Sequence, residues 1–206
     1  MLPEIWQKDQ TVVFVGTAVT ELSERLGFYH LDPRNRFWEL LELSAITPKR
    51  ILTPEENKAL ATGHRDGSLS EPVRLMFIEK KTSQLLKLGI GLTCLNRRMV
   101  VGNEKDKSAR PTAEDIGDFI SKAKELSPKM LAFVTSPDIF VGSFIGSYPT
   151  AVVATGRQPF QIGTSEVWLL GSTSGSPRGE ALTRQEDDFF ALGERVEAHR
   201  SGSAAG

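Results

Sequence analysis

Thr11-Val12-Val13-Phe14-Val15-Gly16 is the stretch that decides the fold. It runs from a β-branched start through valines and a phenylalanine to a glycine, with no polar residue alternating in. A strand that is apolar on both faces must be covered on both faces, which is the situation of a parallel sheet lined by helices. A polar loop follows, and the periodicity then changes. In Phe37-Trp38-Glu39-Leu40-Leu41-Glu42-Leu43 the apolar residues recur at helical spacing, and Pro48 closes that segment.

Outward from there the alternation of strand and helix repeats. Thr53-Pro54-Glu55-Glu56 is a helix start, with a capping threonine, a proline at the first helical position and a glutamate that completes a capping box. Residues 61–71 have loop composition, and a further helix is expected from about Pro72 to Lys87. Thr112-Ala113-Glu114-Asp115 opens another helix that ends near Ser127-Pro128, and Met130-Leu131-Ala132-Phe133-Val134 is the next buried strand. A short helix is expected after Pro137, a last core strand at Val167-Trp168-Leu169-Leu170, and a C-terminal helix capped over Thr183–Glu186 and reaching Ala198. The pattern predicts an α/β fold: a three-layer α/β/α sandwich around a mostly parallel sheet of about four to five strands. Residues 1–200 are read as one domain, and 201–206 as a flexible tail. Sites in such folds lie beyond the carboxyl ends of the strands, so the loops after Gly16 and over Gly171–Gly179 carry the functional expectation.

Composition narrows the function classes. The chain has 206 residues, 39% hydrophobic and 25% charged, as in an ordinary globular domain. No apolar run approaches the roughly 20 residues of a membrane span, and the N-terminus lacks the basic start and apolar core of a signal peptide, so a cytoplasmic location is expected. Cys94 is the single cysteine and His30, His64 and His199 are scattered, so no metal and no cofactor is expected. A net charge of −1 neither requires nor excludes a nucleic-acid partner. Arg34 with Arg36, Lys49 with Arg50, Arg97 with Arg98, and Lys105 with Lys107 are the basic clusters available to phosphate.

Two loops carry chemistry-bearing residues. The second reads Gly171-Ser172-Thr173-Ser174-Gly175-Ser176-Pro177-Arg178-Gly179, in which small residues let backbone amides approach a phosphate and Arg178 supplies charge. It lacks the lysine and glycine spacing of a P-loop. The first ends in Gly27-Phe28-Tyr29-His30-Leu31-Asp32-Pro33-Arg34-Asn35-Arg36-Phe37-Trp38.

Strand, glycine, loop and then Pro33-Arg34-Asn35-Arg36-Phe37-Trp38 resembles the first motif region of the uracil-DNA glycosylase superfamily, most closely its mismatch-specific uracil/thymine branch. Leu88-Gly89-Ile90-Gly91-Leu92-Thr93 is similar to that branch's Gly-Ile-Gly-[Phe/Leu]-Thr segment, and Ser172 to Arg178 takes the place of its second motif. The similarity covers most of residues 11–179, apart from an insertion at about 61–82. It implies a monofunctional enzyme, without cofactor or metal, that flips a nucleotide out of DNA and hydrolyses its N-glycosidic bond. DNA is the partner implied.

Position by position, the resemblance puts Gly16, Thr17, Ala18, His30, Asn35 and Ser172 in the base pocket. Ser174, Gly175, Ser176, Arg178 and Arg34 become the DNA contacts. Ala18 stands where the family has its water-positioning asparagine, Ser172 where it has the second-motif asparagine, His30 where an aromatic stacks on the base, and Ser176 where a leucine wedges the duplex. Two readings follow from these losses. Either the chain is a catalytically inactive DNA-binding relative, or other residues carry the chemistry. For the second reading Asp32 is the candidate to orient water or stabilise the sugar cation, because another branch of the superfamily pairs alanine with a later aspartate in this loop. Glu21 is the alternative carboxylate. Loss of two asparagines enlarges the expected pocket, which fits a bulky hypermodified pyrimidine of phage DNA and a role in base-excision defence.

Overall fold

The computed structural model describes residues 2–100, 107–173 and 179–203. Five strands form one sheet: β1 (Val12–Thr20), β2 (Ile90–Val100), β3 (Met130–Val134), β4 (Gly156–Ile162) and β5 (Ser165–Leu169), in the order β2-β1-β3-β5-β4. The β1–β2, β1–β3 and β3–β5 pairs are parallel, and β4 runs antiparallel to β5 at the edge. Seven helices are described: α1 (Glu21–Leu26), α2 (Phe37–Leu43), α3 (Pro54–Asp66), α4 (Glu71–Lys87), α5 (Ala113–Leu126), α6 (Pro137–Phe144) and α7 (Glu180–Ser203). None of them is long and apolar enough to cross a membrane.

The two-faced strand Val12–Val15 does what its composition demands. Val12 and Phe14 enter one core with Met130, Ala132, Trp168 and the apolar faces of α2 and α7, including Phe37, Leu41, Phe189 and Leu192. Val13 and Val15 point the other way, into a second core with Leu131, Phe133, Val167, Phe119 of α5 and Phe140 and Phe144 of α6. Helices therefore cover both faces of the sheet, compatible with a three-layer sandwich. Burial of the valine, leucine and phenylalanine side chains, about 1.5–3 kcal/mol each, is the main stabilising term.

The element boundaries depart from the pattern reading in informative places. β1 continues through Gly16 to Thr20, so Gly16, Thr17 and Ala18 belong to a strand and not to a loop. Parallel partners extend on both sides of it: Gly16 pairs with Cys94 and with Val134. The capping box at Thr53 and Glu56 is formed, but α3 runs on to Asp66 and stops at Gly67 in the left-handed region. The expected insertion at 61–82 thus lies in the end of α3 and most of α4. It is tied down by Lys81, whose buried ammonium donates to both oxygens of Glu56 at 2.7 Å. Thr183 does not cap α7, because that helix has already begun at Glu180 behind Gly179. Three residues of the expected tail, Ser201–Ser203, end α7.

Candidate functional site

The topology has one switch point. The chain leaves β1 to form β2 on one side and returns to form β3 on the other, and in such sheets ligands bind beyond the carboxyl ends of the strands at this point, here β1 and β3. The register places Thr17 and Thr135 one step beyond the paired Gly16 and Val134. Their hydroxyl oxygens lie 2.5 Å apart, and both residues are buried. Thr17 was among the residues expected there. Thr135 was not, because a threonine after a strand has no signature of its own. Gly16 has a packing reason to be glycine: a Cβ there would sit 3.1 Å from the Cys94 sulfur. Burial pushes the Cys94 thiol up to about 12, so it is neutral and structural. Ala18 is half-buried opposite Asn96, at the point where the register of β1 with β2 shifts.

The first loop begins at Gly27, which closes α1 in the left-handed region and turns the chain back over the sheet. Phe28 then stacks on Trp38, with ring centroids 5.6 Å apart. His30 has φ of 53°, a conformation that histidine tolerates better than most residues but still adopts rarely. Its ring lies on Phe37 at 3.9 Å, and its carbonyl accepts a hydrogen bond from the Trp38 indole. Burial lowers its pKa to about 3, so the imidazole is neutral. Asn35 sets the tautomer. Its side-chain oxygen accepts from the Phe37 N–H at 2.9 Å, which turns its amide nitrogen to His30 Nδ1, a long contact at 3.5 Å. Nδ1 is then the acceptor and Nε2 carries the proton.

Asp32 and Arg34 form a closed turn. Asp32 Oδ1 accepts from the Arg34 backbone N–H at 2.9 Å, and the Arg34 guanidinium contacts both carboxylate oxygens at 3.2 and 3.0 Å. That guanidinium holds the Asp32 carboxyl below its usual range, so the group is ionised at neutral pH. Among the described residues its side chain shares no hydrogen bond with His30 or Asn35. Glu21 lies in the first turn of α1 and pairs with Arg25 one turn on, the arrangement of a helix-start residue.

After Leu170 donates to the Phe133 carbonyl the chain leaves the sheet, and Gly171 turns it with φ of 70°. The Ser172 carbonyl accepts from the Gln185 side-chain amide at 2.9 Å, and the Thr173 carbonyl accepts from the Arg36 N–H at 3.2 Å. The second loop therefore starts against the first. Ser174, Gly175, Ser176 and Arg178 lie outside the described residues.

The structure thus brings His30, Asn35 and the Ser172–Thr173 segment to one end of the sheet and keeps the Thr17 hydroxyl on the α5–α6 side. Several of the basic residues are ion-paired. Arg36 pairs with Glu39 and Glu186, Arg50 with Glu42, Arg97 with Glu4, and Arg98 with Asp115. Among the described residues, no group of three His, Cys, Asp or Glu side chains is placed to hold a metal ion. No protein-family model matches the sequence.

Proposed function

We propose that the protein is a metal-free DNA glycosylase with a uracil-DNA glycosylase-like fold, which flips out a modified or deaminated base and hydrolyses its N-glycosidic bond. The observation that carries this reading is His30: a neutral, flat ring held on Phe37 and oriented by Asn35, where the first loop meets the start of the second. A half-buried neutral imidazole with Phe37 on one face suits stacking by an extruded base on the other, and its ring proton suits a base oxygen that gains negative charge as the bond breaks. An ionised Asp32 suits the other half of the reaction. It would orient the attacking water and offset positive charge on the sugar. Water then bonds to the anomeric carbon as the carbon–nitrogen bond breaks, and the base leaves as an anion that takes up a proton. Among such bases, the loss of two asparagine side chains at Ala18 and Ser172 favours one with a bulky substituent, such as a hypermodified pyrimidine.

The closed Asp32–Arg34 turn favours a second reading, a DNA-binding relative without catalysis. Base release from oligonucleotides containing uracil, mispaired thymine, hypoxanthine or glucosylated hydroxymethylcytosine separates the two. The first reading expects release from at least one substrate, lost in Asp32→Ala and kept in Glu21→Ala. DNA binding without an abasic product from any substrate would establish the second.

A further inference from the structure

Two loops 135 or more residues apart in the chain must keep a fixed relation if they share one nucleotide, and only a few groups hold them. Gln185 is buried and uses both ends of its side-chain amide. Its nitrogen donates to the Ser172 carbonyl at 2.9 Å, and its oxygen accepts from the Arg36 guanidinium at 3.3 Å. Arg36 in turn donates its backbone N–H to Thr173. Its charge is offset by Glu186 at 2.7 Å and Glu39 at 2.9 Å, so the guanidinium is largely buried without leaving net charge behind. Arg36 immediately precedes Phe37, on which His30 is stacked. A continuous chain of contacts therefore runs from Ser172 through Gln185 and Arg36 to His30.

We propose that Arg36 and Gln185 are a positioning pair that sets the start of the second loop in register with the His30 shelf. The proposal rests on the glycosylase reading for its purpose, but the coupling itself does not depend on it. Arg36 is accordingly an internal tie and not a phosphate contact, although its neighbour Arg34 is exposed. The carbonyls of Ser172 and Thr173 both point back into the protein.

Gln185→Met keeps the volume and removes both hydrogen bonds. Hydrogen–deuterium exchange should quicken about tenfold in peptides covering Ser172–Thr173 and His30–Phe37, the size expected when one or two buried hydrogen bonds are lost, with β3 and α5 unchanged. Gln185→Glu keeps an acceptor for Arg36 but offers Ser172 no donor, so only the Ser172–Thr173 peptides should quicken. For a duplex containing a tetrahydrofuran abasic-site analogue, Gln185→Met should raise Kd roughly tenfold with the salt dependence unaltered, because Gln185 touches no phosphate. Unchanged exchange in these peptides, or equal acceleration everywhere, overturns the pair. Altered exchange with unaltered Kd overturns its DNA-facing role. A wild-type protein without affinity for the duplex overturns the glycosylase reading, while the exchange data still decide the coupling.

Discussion

His30 is the residue on which the functional reading turns, and its titration can be read from stability. The imidazole takes up a proton near pH 6.5 in an unfolded chain but only near 3 when folded, because burial disfavours the cation. Between those values the unfolded state binds more protons. The stabilisation is therefore complete above about pH 6.5, falls as the pH drops, and levels off below about 3. The slope from this group is at most roughly 1.4 kcal/mol per pH unit. His30→Asn tolerates the positive φ and removes the titration. Denaturant unfolding of the two proteins from pH 7 to pH 4 should show the variant losing stability less steeply; parallel curves would mean that His30 is solvated in the folded state. Single residues were legible in sequence only where a motif pointed at them. His30 and Asn35 were selected by their places around Pro33–Trp38, and they do meet. Thr135 and Gln185 were not selected, since a buried threonine after a strand and a glutamine inside a helix acquire meaning only through partners more than 100 residues away or on another element.

At the scale of elements, the helix pair α2–α7 shows how little slack the fold allows near the site. Gly193 sits inside α7, where glycine costs about 1 kcal/mol against alanine as a matter of propensity. Packing outweighs that preference: a Cβ at this position would lie 2.1 Å from the Ser44 carbonyl oxygen at the end of α2. A backbone carbonyl cannot swing aside as a long side chain can. Gly193→Ala should therefore destabilise the protein by about 2–4 kcal/mol, measured by chemical denaturation, despite the better helix propensity. A variant as stable as the parent would mean that the two helices slide apart freely, and with them Gln185 and Arg36. Elements were legible where local chemistry decided them. Thr53 forms the capping box its spacing implies, Thr112 caps the helix expected after it, and the Val12–Val15 and Met130–Val134 runs are strands. The extension of β1 past Gly16 was not legible, because that backbone is held by β2 along one side and not by its own composition. The edge strand β4 was likewise hidden, with Pro159 inside it and three of its seven residues exposed.

For the whole molecule the question is how a chain of net charge −1 would hold a polyanion. The sequence carries pairs of neighbouring basic residues such as Arg34 with Arg36, Lys49 with Arg50, Arg97 with Arg98 and Lys105 with Lys107, and a protein that placed all of them on phosphate would bind with a very steep salt dependence. Of those side chains, Arg36, Arg50, Arg97 and Arg98 are ion-paired, each facing a carboxylate within 3.0 Å. Such pairs fix local structure and leave little long-range field beyond about a Debye length. Of those pairs, what remains for DNA is Lys49 and the Arg34 that also braces Asp32, with Lys105, the Lys107 side chain and Arg178 outside the described residues. Each phosphate neutralised contributes about −0.9 to the slope of log K against log salt. The slope for duplex DNA should accordingly be shallow, about −2 to −3, measured by fluorescence anisotropy from 50 to 200 mM salt. Affinity would then come mainly from the flipped nucleotide held between the two loops, so a duplex with an extrudable site should bind far better than an undamaged one at equal salt. A slope steeper than about −5 would require the paired arginines to exchange their carboxylates for phosphate, and would move the DNA surface away from the strand ends.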